Sequence, residues 1–408
     1  MNSSTNKAGA PDNSFGEYED GVVIEPIIYT RPTYQKHLEE DGNFITLGRY
    51  LNPATLSEAV IFKYSNTGFF NNTYGIKRPT IDVQNFEVCC FLVQDKNKLL
   101  MLGSRTEGQS KKALVARFLA HDGQLDTSFG DGGVRLLDQV IKPAYLDDNF
   151  IQPQYRDQGL VVHGDRIVVA FPSEGNESKI ICLNSSGHLI DSFGNSGVVT
   201  SPHRINALGV QTSGNIVVAG QTNERKAFLS RHNAIDGSED KTFGVQGYVE
   251  FEIEGTSPAV LAIAMRDNHI VAVGDPANQD QGPSQNAFIT RVMPEGKIDP
   301  SFNNGRPVIS IGLGTYETVI LQPDGKPLTA TAIVPDRSLL IYAMRYRVDG
   351  TPDPVFGNDG VALAYRDIQG RPDGLVPSVR ALELQPDKKI VISGYLGATV
   401  FLIRLHGE

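Results

Sequence analysis

"HDGQLDTSFGDGGV", residues 121–134, reads in isolation as a polar turn, with three aspartates and four glycines around one phenylalanine. Its skeleton nevertheless returns along the whole chain. Gly123 stands six residues before Phe129, and the same interval joins Gly9 to Phe15, Gly68 to Tyr74, Gly187 to Phe193, Gly237 to Phe243, Gly296 to Phe302 and Gly350 to Phe356. Three residues after each glycine come Asp12, Asn71, Asp126, Ile190, Asp240, Asp299 and Asp353, and a glycine follows the aromatic in every copy but the one with Asn303. The seven aromatics lie 50 to 64 residues apart, too long for a solenoid coil and about right for a four-stranded blade.

Upstream of each copy runs a hairpin signal, clearest in "NALGVQTSGNIVVAG" and "RALELQPDKKIVISG": an apolar stretch, a tight polar turn, then a β-branched run ending near glycine. It recurs around Asp41-Gly42, Asp95-Lys96, Gly164-Asp165, Asp267-Asn268 and Asp324-Gly325. A third strand with a basic residue near its end follows ("ALVARF", "AFLSRH", "AFITRV", "FLIRLH"), and "GVRLL", "GVVTS" and "GVALAY" begin the fourth. Glycine supplies the positive φ that the connecting turn needs, and the carboxylate three residues on accepts turn amides that no ladder satisfies. The Ser or Thr before the aromatic bonds locally in the same way. The aromatic ring is expected to pack on the neighbouring blade, because one twisted sheet cannot bury it alone.

The two ends of the chain complete one repeat. "TVFLIRLHGE" stops where the turn should begin, and "GAPDNSFG" at the start supplies that turn. The reading is an all-β, seven-bladed β-propeller of four-stranded antiparallel blades, a single domain over 1–408, with one blade split between about residues 1–30 and 375–408 and the ring closed by pairing of the two terminal segments. "LQPDGKP", "NIVVAG" and "LDTSFGDGGV" resemble the delta-60 repeat family of bacterial proteins over nearly the whole chain. The resemblance implies a β-propeller and no common reaction. Tyr74 and the lack of "GGV" after it depart from the pattern in the second blade, and the absence of tryptophan excludes a WD-repeat assignment.

Composition narrows the function. The chain of 408 residues has 47 acidic against 37 basic residues and a net charge of -10 without long single-sign blocks, which argues against a nucleic-acid or anionic-lipid surface. Apolar runs such as 167–171 have strand length, far below the roughly 20 residues of a membrane span. With no apolar h-region at the start, a cytoplasmic location is expected for the chain as written, or an exported one if a leader has been removed. Cys89, Cys90 and Cys182 have neither disulfide nor zinc spacing and read as buried thiols.

Function in propellers is placed on the loops of one face. Two irregular joints, 138–159 and "AYRDIQGRPDGLVPS", both contain Tyr-Arg-Asp. The candidate ligand-binding residues are Tyr145, Asp147, Asp148, Tyr155, Arg156, Asp157, Tyr365, Arg366 and Asp367, offering aromatic stacking and guanidinium contacts to a sugar or carboxylate. The alternative is a set of surface salt bridges. The segment 274–287 reads as a polar hairpin loop. No catalytic residue is assigned: there is no HExxH, GxSxG or Walker pattern, and His121, His163, His232 and His269 read as polar turn residues. No cofactor or metal is expected, since calcium needs about six oxygens from one locale and Ile190 and Asn71 interrupt the aspartates. The expectation is a non-catalytic binding or scaffolding propeller for a protein or carbohydrate, with a channel-mouth hydrolase or lyase as the alternative; the oligomeric state is left open.

Overall fold

The computed structural model describes residues 7–26 except 17 and 19, 35–50 except 40, 58–141 except 80, 82–85 and 96, 146–147, 150–151, 159–276, 286–335, 338–367, 377–396 and 399–408. Strand β1 (Val22–Pro26) is followed by blade 2, made of β2 (Gln35–Leu38), β3 (Phe44–Tyr50) and β4 (Glu58–Tyr64). Blade 3 is β5 (Phe86–Asp95), β6 (Lys98–Glu107), β7 (Ser110–Leu119) and β8 (Val134–Val140). A two-stranded ribbon, β9 (Leu146–Asp147) and β10 (Phe150–Ile151), lies between it and blade 4, which holds β11 (Leu160–His163), β12 (Arg166–Pro172), β13 (Ser178–Asn184) and β14 (Val198–Ser201). Blade 5 is β15 (Arg204–Val210), β16 (Ile216–Gln221), β17 (Ala227–His232) and β18 (Tyr248–Phe251); blade 6 is β19 (Ala259–Arg266), β20 (His269–Asp275), β21 (Asn286–Val292) and β22 (Val308–Ile311). Blade 7 is β23 (Thr318–Leu321), β24 (Pro327–Ile333), β25 (Leu339–Arg345) and β26 (Val361–Asp367). The chain ends in β27 (Pro377–Leu384), β28 (Ile390–Leu396) and β29 (Thr399–Leu405).

Those last three strands complete blade 1 by pairing with the first: β1 lies antiparallel on β29, with Val22 opposite Ile403 and Pro26 opposite Thr399. Pro11 bridges Leu405, and Gly9 N–H donates to His406 O at 2.7 Å. The expected closure by the two termini is present, and the hairpin and fourth-strand positions read from the sequence are all occupied as expected. Six sheets have four strands. Blade 2 departs from the four-strand expectation: among the described residues its fourth strand is reduced to an isolated bridge between Ile61 and Lys77. This segment, "IKRPT", lacks the glycine that stands directly before the fourth strand in blades 3, 4, 5 and 7 (Gly133, Gly197, Gly247 and Gly360), and its proline cannot donate to a ladder.

Central strands are apolar on both sides because both faces of a blade are covered. All six residues of β16, "IVVAGQ", are buried, whereas the outer β22, "VISI", alternates between half-buried and exposed. The core is divided into seven apolar slabs, one in each joint between adjacent blades. The slab that joins blade 7 to blade 1 sets Leu328, Ile341 and Phe356 against Leu382, Ile392 and Phe401. The next sets Phe15 and Leu402 against Phe44 and Phe62. Every sheet thus shelters its apolar surface on two neighbours, and the ring has no free end. No helix among the described residues is long and apolar enough to cross a membrane.

Antiparallel order sorts the connections onto two faces. First-to-second and third-to-fourth strand turns share one face, the turn face; second-to-third connections and the crossings to the next blade share the other, the loop face.

Candidate binding face and the clamps beneath it

The repeated motif builds a clamp on the turn face. In blade 3, Asp126 Oδ1 accepts the Ser128 amide at 3.1 Å and its hydroxyl at 2.6 Å, tying the turn as the sequence suggests. Its other oxygen accepts Arg117 Nε at 2.8 Å, from the end of β7. The guanidinium lies over Phe129, 4.7 Å from the ring centroid, and also donates to Ser185 O of blade 4. One side chain therefore neutralises the turn carboxylate, covers the aromatic face and ties two blades together.

The same assembly recurs as Arg231–Asp240 over Phe243, Arg291–Asp299 over Phe302, Arg345–Asp353 over Phe356 and Arg404–Asp12 over Phe15, with Nε to Oδ2 distances of 2.7–2.8 Å. Their guanidinium groups reach Pro294 O, Val348 O, Gly407 O and Asn66 O of the next blade. The basic residue near the end of the third strand is thus the partner of the turn aspartate. Arg345 was not singled out by the sequence reading. Phe15, Phe129, Phe193, Phe243 and Phe302 each meet the repeat glycine of the following blade: a Cβ added to Gly187 would come within 2.8 Å of the Phe129 ring, at φ +83°. The expected packing of ring on neighbouring blade holds there.

Blade 4 lacks both charges at once. Cys182 stands in the arginine position and Ile190 in the aspartate position, joined by the same backbone bond from Ile190 N–H to Cys182 O at 3.0 Å. Arg166, at the start of β12, supplies the missing cation to the next blade by donating to Ala234 O, and its Nη1 lies 4.0 Å from Cys182 Sγ. The ion pair has been exchanged for an apolar pair, and the inter-blade donor has moved to an adjacent strand.

The clamps also hold many of the perturbed ionisable groups. Burial alone would raise the Asp12 pKa, but bonds from Lys389 and Ser14 and the charge of Arg404 outweigh it and hold the carboxyl at about 2. Asp126 and Asp299 lie below the usual range through the same contest, won by Ser128 with Arg117 and by Ser301 with Arg291. Burial pushes the Cys182 thiol up. It also raises Tyr316 and Tyr346, whose hydroxyls form a triangle with Ser310 Oγ between blades 6 and 7, with sides of 2.6–2.8 Å. His232 corrects the sequence reading: it is a buried strand residue rather than a polar turn residue, with Nδ1 3.1 Å from Gly237 O, and burial lowers its pKa. The three cysteines are free and buried. Among the described residues no group of three or more His, Cys, Asp or Glu is placed to hold a metal ion.

The loop face is built differently. Its connections range from 202–203 between blades 4 and 5 to 141–159 between blades 3 and 4, where β9 and β10 add their ribbon. Near its loop-face end the first strand of blades 3, 5, 6 and 1 carries a bulge, at Cys89, Asn206, Leu261 and Arg380. Such bulges interrupt pairing and re-aim a side chain, here at the inner edge of the ring. Two of the neighbouring contacts cross joints: Asn206 Nδ2 donates to Val260 O at 2.9 Å, and Glu317 Oε2 accepts both Ser378 Oγ and Val379 N–H at 2.8 Å. The side chain of one blade thereby satisfies a backbone group freed by the bulge of the next. Asn206, Glu317 and Arg380 were missed by the sequence reading, since a bulge adds a residue without changing composition.

Tyr365 and Arg366 lie on β26, the outer strand of blade 7, opposite Ile341 and Leu340. Tyr365 packs half-buried on the slab between blades 7 and 1, and Arg366 is exposed. Asp367 ends that strand, so this triplet is on the outer rim at the loop face rather than at the inner edge. Asp147 is the last residue of β9, paired with Phe150. Tyr145, Asp148, Tyr155, Arg156 and Asp157 lie outside the described residues, as does most of the 274–287 loop.

No protein-family model matches the chain, and no curated protein matches it. Among solved structures the chain is similar to a protein of unknown function from Dyadobacter fermentans (11% identity, 94% of this chain and 99% of that one, TM-score 0.46). It is also similar to the β-propeller domain of the Trilobed protease from Pyrococcus furiosus, described as having an open velcro topology (9% identity, 93% and 97%, TM-score 0.47). A third is a subtype N10 neuraminidase-like protein of A/little yellow-shouldered bat/Guatemala/060/2010 (8% identity, 94% and 98%, TM-score 0.38). The architecture rests on the strand pairing of this chain rather than on these likenesses.

Proposed function

We propose that this chain is a non-catalytic binding or scaffolding propeller, of the delta-60 repeat type, that recognises a protein or glycan through its loop face. The observation that supports this reading is the contrast between the faces: one repeats a single clamp with few exchanges, while the other varies from a two-residue link at 202–203 to the long excursion at 141–159. Structure that carries the ring is held constant, and a binding surface is free to differ. The charged pair of positions at the inner edge, Glu317 and Arg380, supports a channel-mouth hydrolase or lyase as the second reading.

The test replaces residues 142–158 by a Gly-Ser-Gly link and compares both proteins on an array of defined oligosaccharides and a phage-displayed peptide library. Saturable binding by the full chain, weakened about tenfold or more by the replacement while the melting temperature is kept, is the expected result for a contact area centred there. Turnover of lactone, aryl-ester or uronate-containing substrates that is lost in Glu317→Gln would replace this reading with the second.

A further inference from the structure

We propose that the ring has one release seam, the joint between blades 2 and 3, and that it opens there from the outer rim inward. At the other six joints the amide after the repeat aromatic crosses to the neighbouring turn: Gly16 to Thr67 O, Gly130 to Ser186 O, Gly194 to Asp236 O, Gly244 to Glu295 O, Asn303 to Asp349 O and Gly357 to Ala8 O, all at 2.7–2.9 Å. At this joint the equivalent amide, Gly75 N–H, turns back to Asn71 O of its own blade at 2.9 Å. The clamp is altered in every part. Lys63 replaces the arginine, Asn71 the aspartate and Tyr74 the phenylalanine.

The lysine charge is directed inward to its own blade, where Lys63 Nζ meets Glu39 Oε1 at 2.6 Å. Glu39 occupies the place held in blades 5, 7 and 1 by Gln211, Gln322 and Gln385, each closing the same turn through its backbone amide. An ammonium on a flexible stem cannot reproduce the planar fork that binds carboxylate, ring and neighbouring carbonyl together. Gly123 of blade 3 correspondingly meets a lysine stem first, with the Lys77 Cβ 2.6 Å from where its own Cβ would be and the hydroxyl of Tyr74 beyond it, at 3.5 Å. Among the described residues the outer edge of blade 2 adds only the Ile61–Lys77 bridge.

The inner part of the joint is intact. Ile45, Leu47 and Ile61 pack on Phe86, Phe91 and Met101 in one apolar slab. Loss of an ion pair alone does not make a seam, because blade 4 lacks its pair and keeps both crossing bonds, from Gly194 and Arg166. Among the described residues, only the joint of blades 2 and 3 combines an apolar inner slab with a rim whose repeat amide and cation both point back into one blade. Local opening follows the weakest such contact set.

Hydrogen exchange of the intact chain, read by mass spectrometry, tests this. Amides in 71–77 are expected to exchange about tenfold or more faster than their counterparts in 190–197 and 240–247. The triple variant Glu39→Gln/Lys63→Arg/Asn71→Asp rebuilds the polar part of the blade 5 clamp beside Tyr74 and is expected to slow exchange in 71–77 about fivefold while leaving the other joints unchanged. Equal protection in 71–77 and 240–247, or greater lability at another joint, overturns the proposal. A folded triple variant with unchanged exchange does the same, and if the variant does not fold the wild-type comparison decides alone.

Discussion

Asp126→Ile is expected to lower the unfolding free energy by about 3–5 kcal/mol, the range for removing one partner of a buried ion pair. Arg117 is 3% exposed, so its charge has no water to turn to, and the change also removes the carboxylate that accepts two bonds from Ser128. Adding Arg117→Cys to the same protein is expected to recover more than half of that loss. The double variant writes into blade 3 the pair that blade 4 already uses, Cys182 with Ile190, and replacing both charges by packed apolar groups is close to neutral in many buried pairs. Recovery remains incomplete because blade 3 would lack the cation that Arg166 gives to Ala234 O in blade 4. Urea denaturation of the two single variants and the double variant completes the cycle; purely additive losses would show that the charges do not act as a pair.

Gly296→Ala is expected to cost about 2–5 kcal/mol, from about 1–2 for a left-handed backbone and 1–3 for overpacking. Gly296 has φ +84°, and its Cβ would lie 2.4 Å from the Gly244 backbone nitrogen and 2.8 Å from the Phe243 ring. Neither obstacle is a flexible side-chain end, so blades 5 and 6 must separate, and the bond from Gly244 N–H to Glu295 O goes with them. Gly108, also left-handed at φ +62° but with nothing within 4 Å of its Cβ, is the control. Gly108→Ala is expected to lose only about 1 kcal/mol. Equal losses at the two positions, measured by denaturant unfolding, would mean that the glycine serves backbone conformation alone and not the approach of two blades.

The parts of the architecture that repeat were legible because the same physical demand leaves the same residues at each joint. Gly123, Asp126 and Phe129 announce a left-handed turn, a turn acceptor and a ring that needs a second sheet, and the split of this pattern between the termini announces closure. The pairing of Arg117 with Asp126 was only half visible. Both residues stand out in the sequence, but their contact depends on the third strand and its turn folding back in one register. The shortened edge of blade 2 was marked by Tyr74 and the lack of "GGV" after it, without showing which strand would be lost. The loop face left little trace, since connections that differ in every blade cannot be recognised by recurrence. Asn206, Glu317 and Arg380 owe their positions to bulges and to crossings between sheets, and a bulge has no composition of its own. Tyr365 and Arg366 were read as candidates for ligand binding, with surface salt bridges as the alternative, and as residues of an outer strand they stand at the rim of the loop face.

The closing of the ring by its two termini is tested most directly by a disulfide across the last seam. Val23 and Leu402 are paired across β1 and β29, and opposed residues in an antiparallel ladder stand about 4.5–5.5 Å apart at Cα, within disulfide range. In Val23→Cys/Leu402→Cys the account predicts rapid, near-complete oxidation of the folded protein, recognised by altered migration without reductant and by a bridged peptide in mass spectrometry. Two thiols that stay reduced in the folded variant, each open to maleimide, would contradict it.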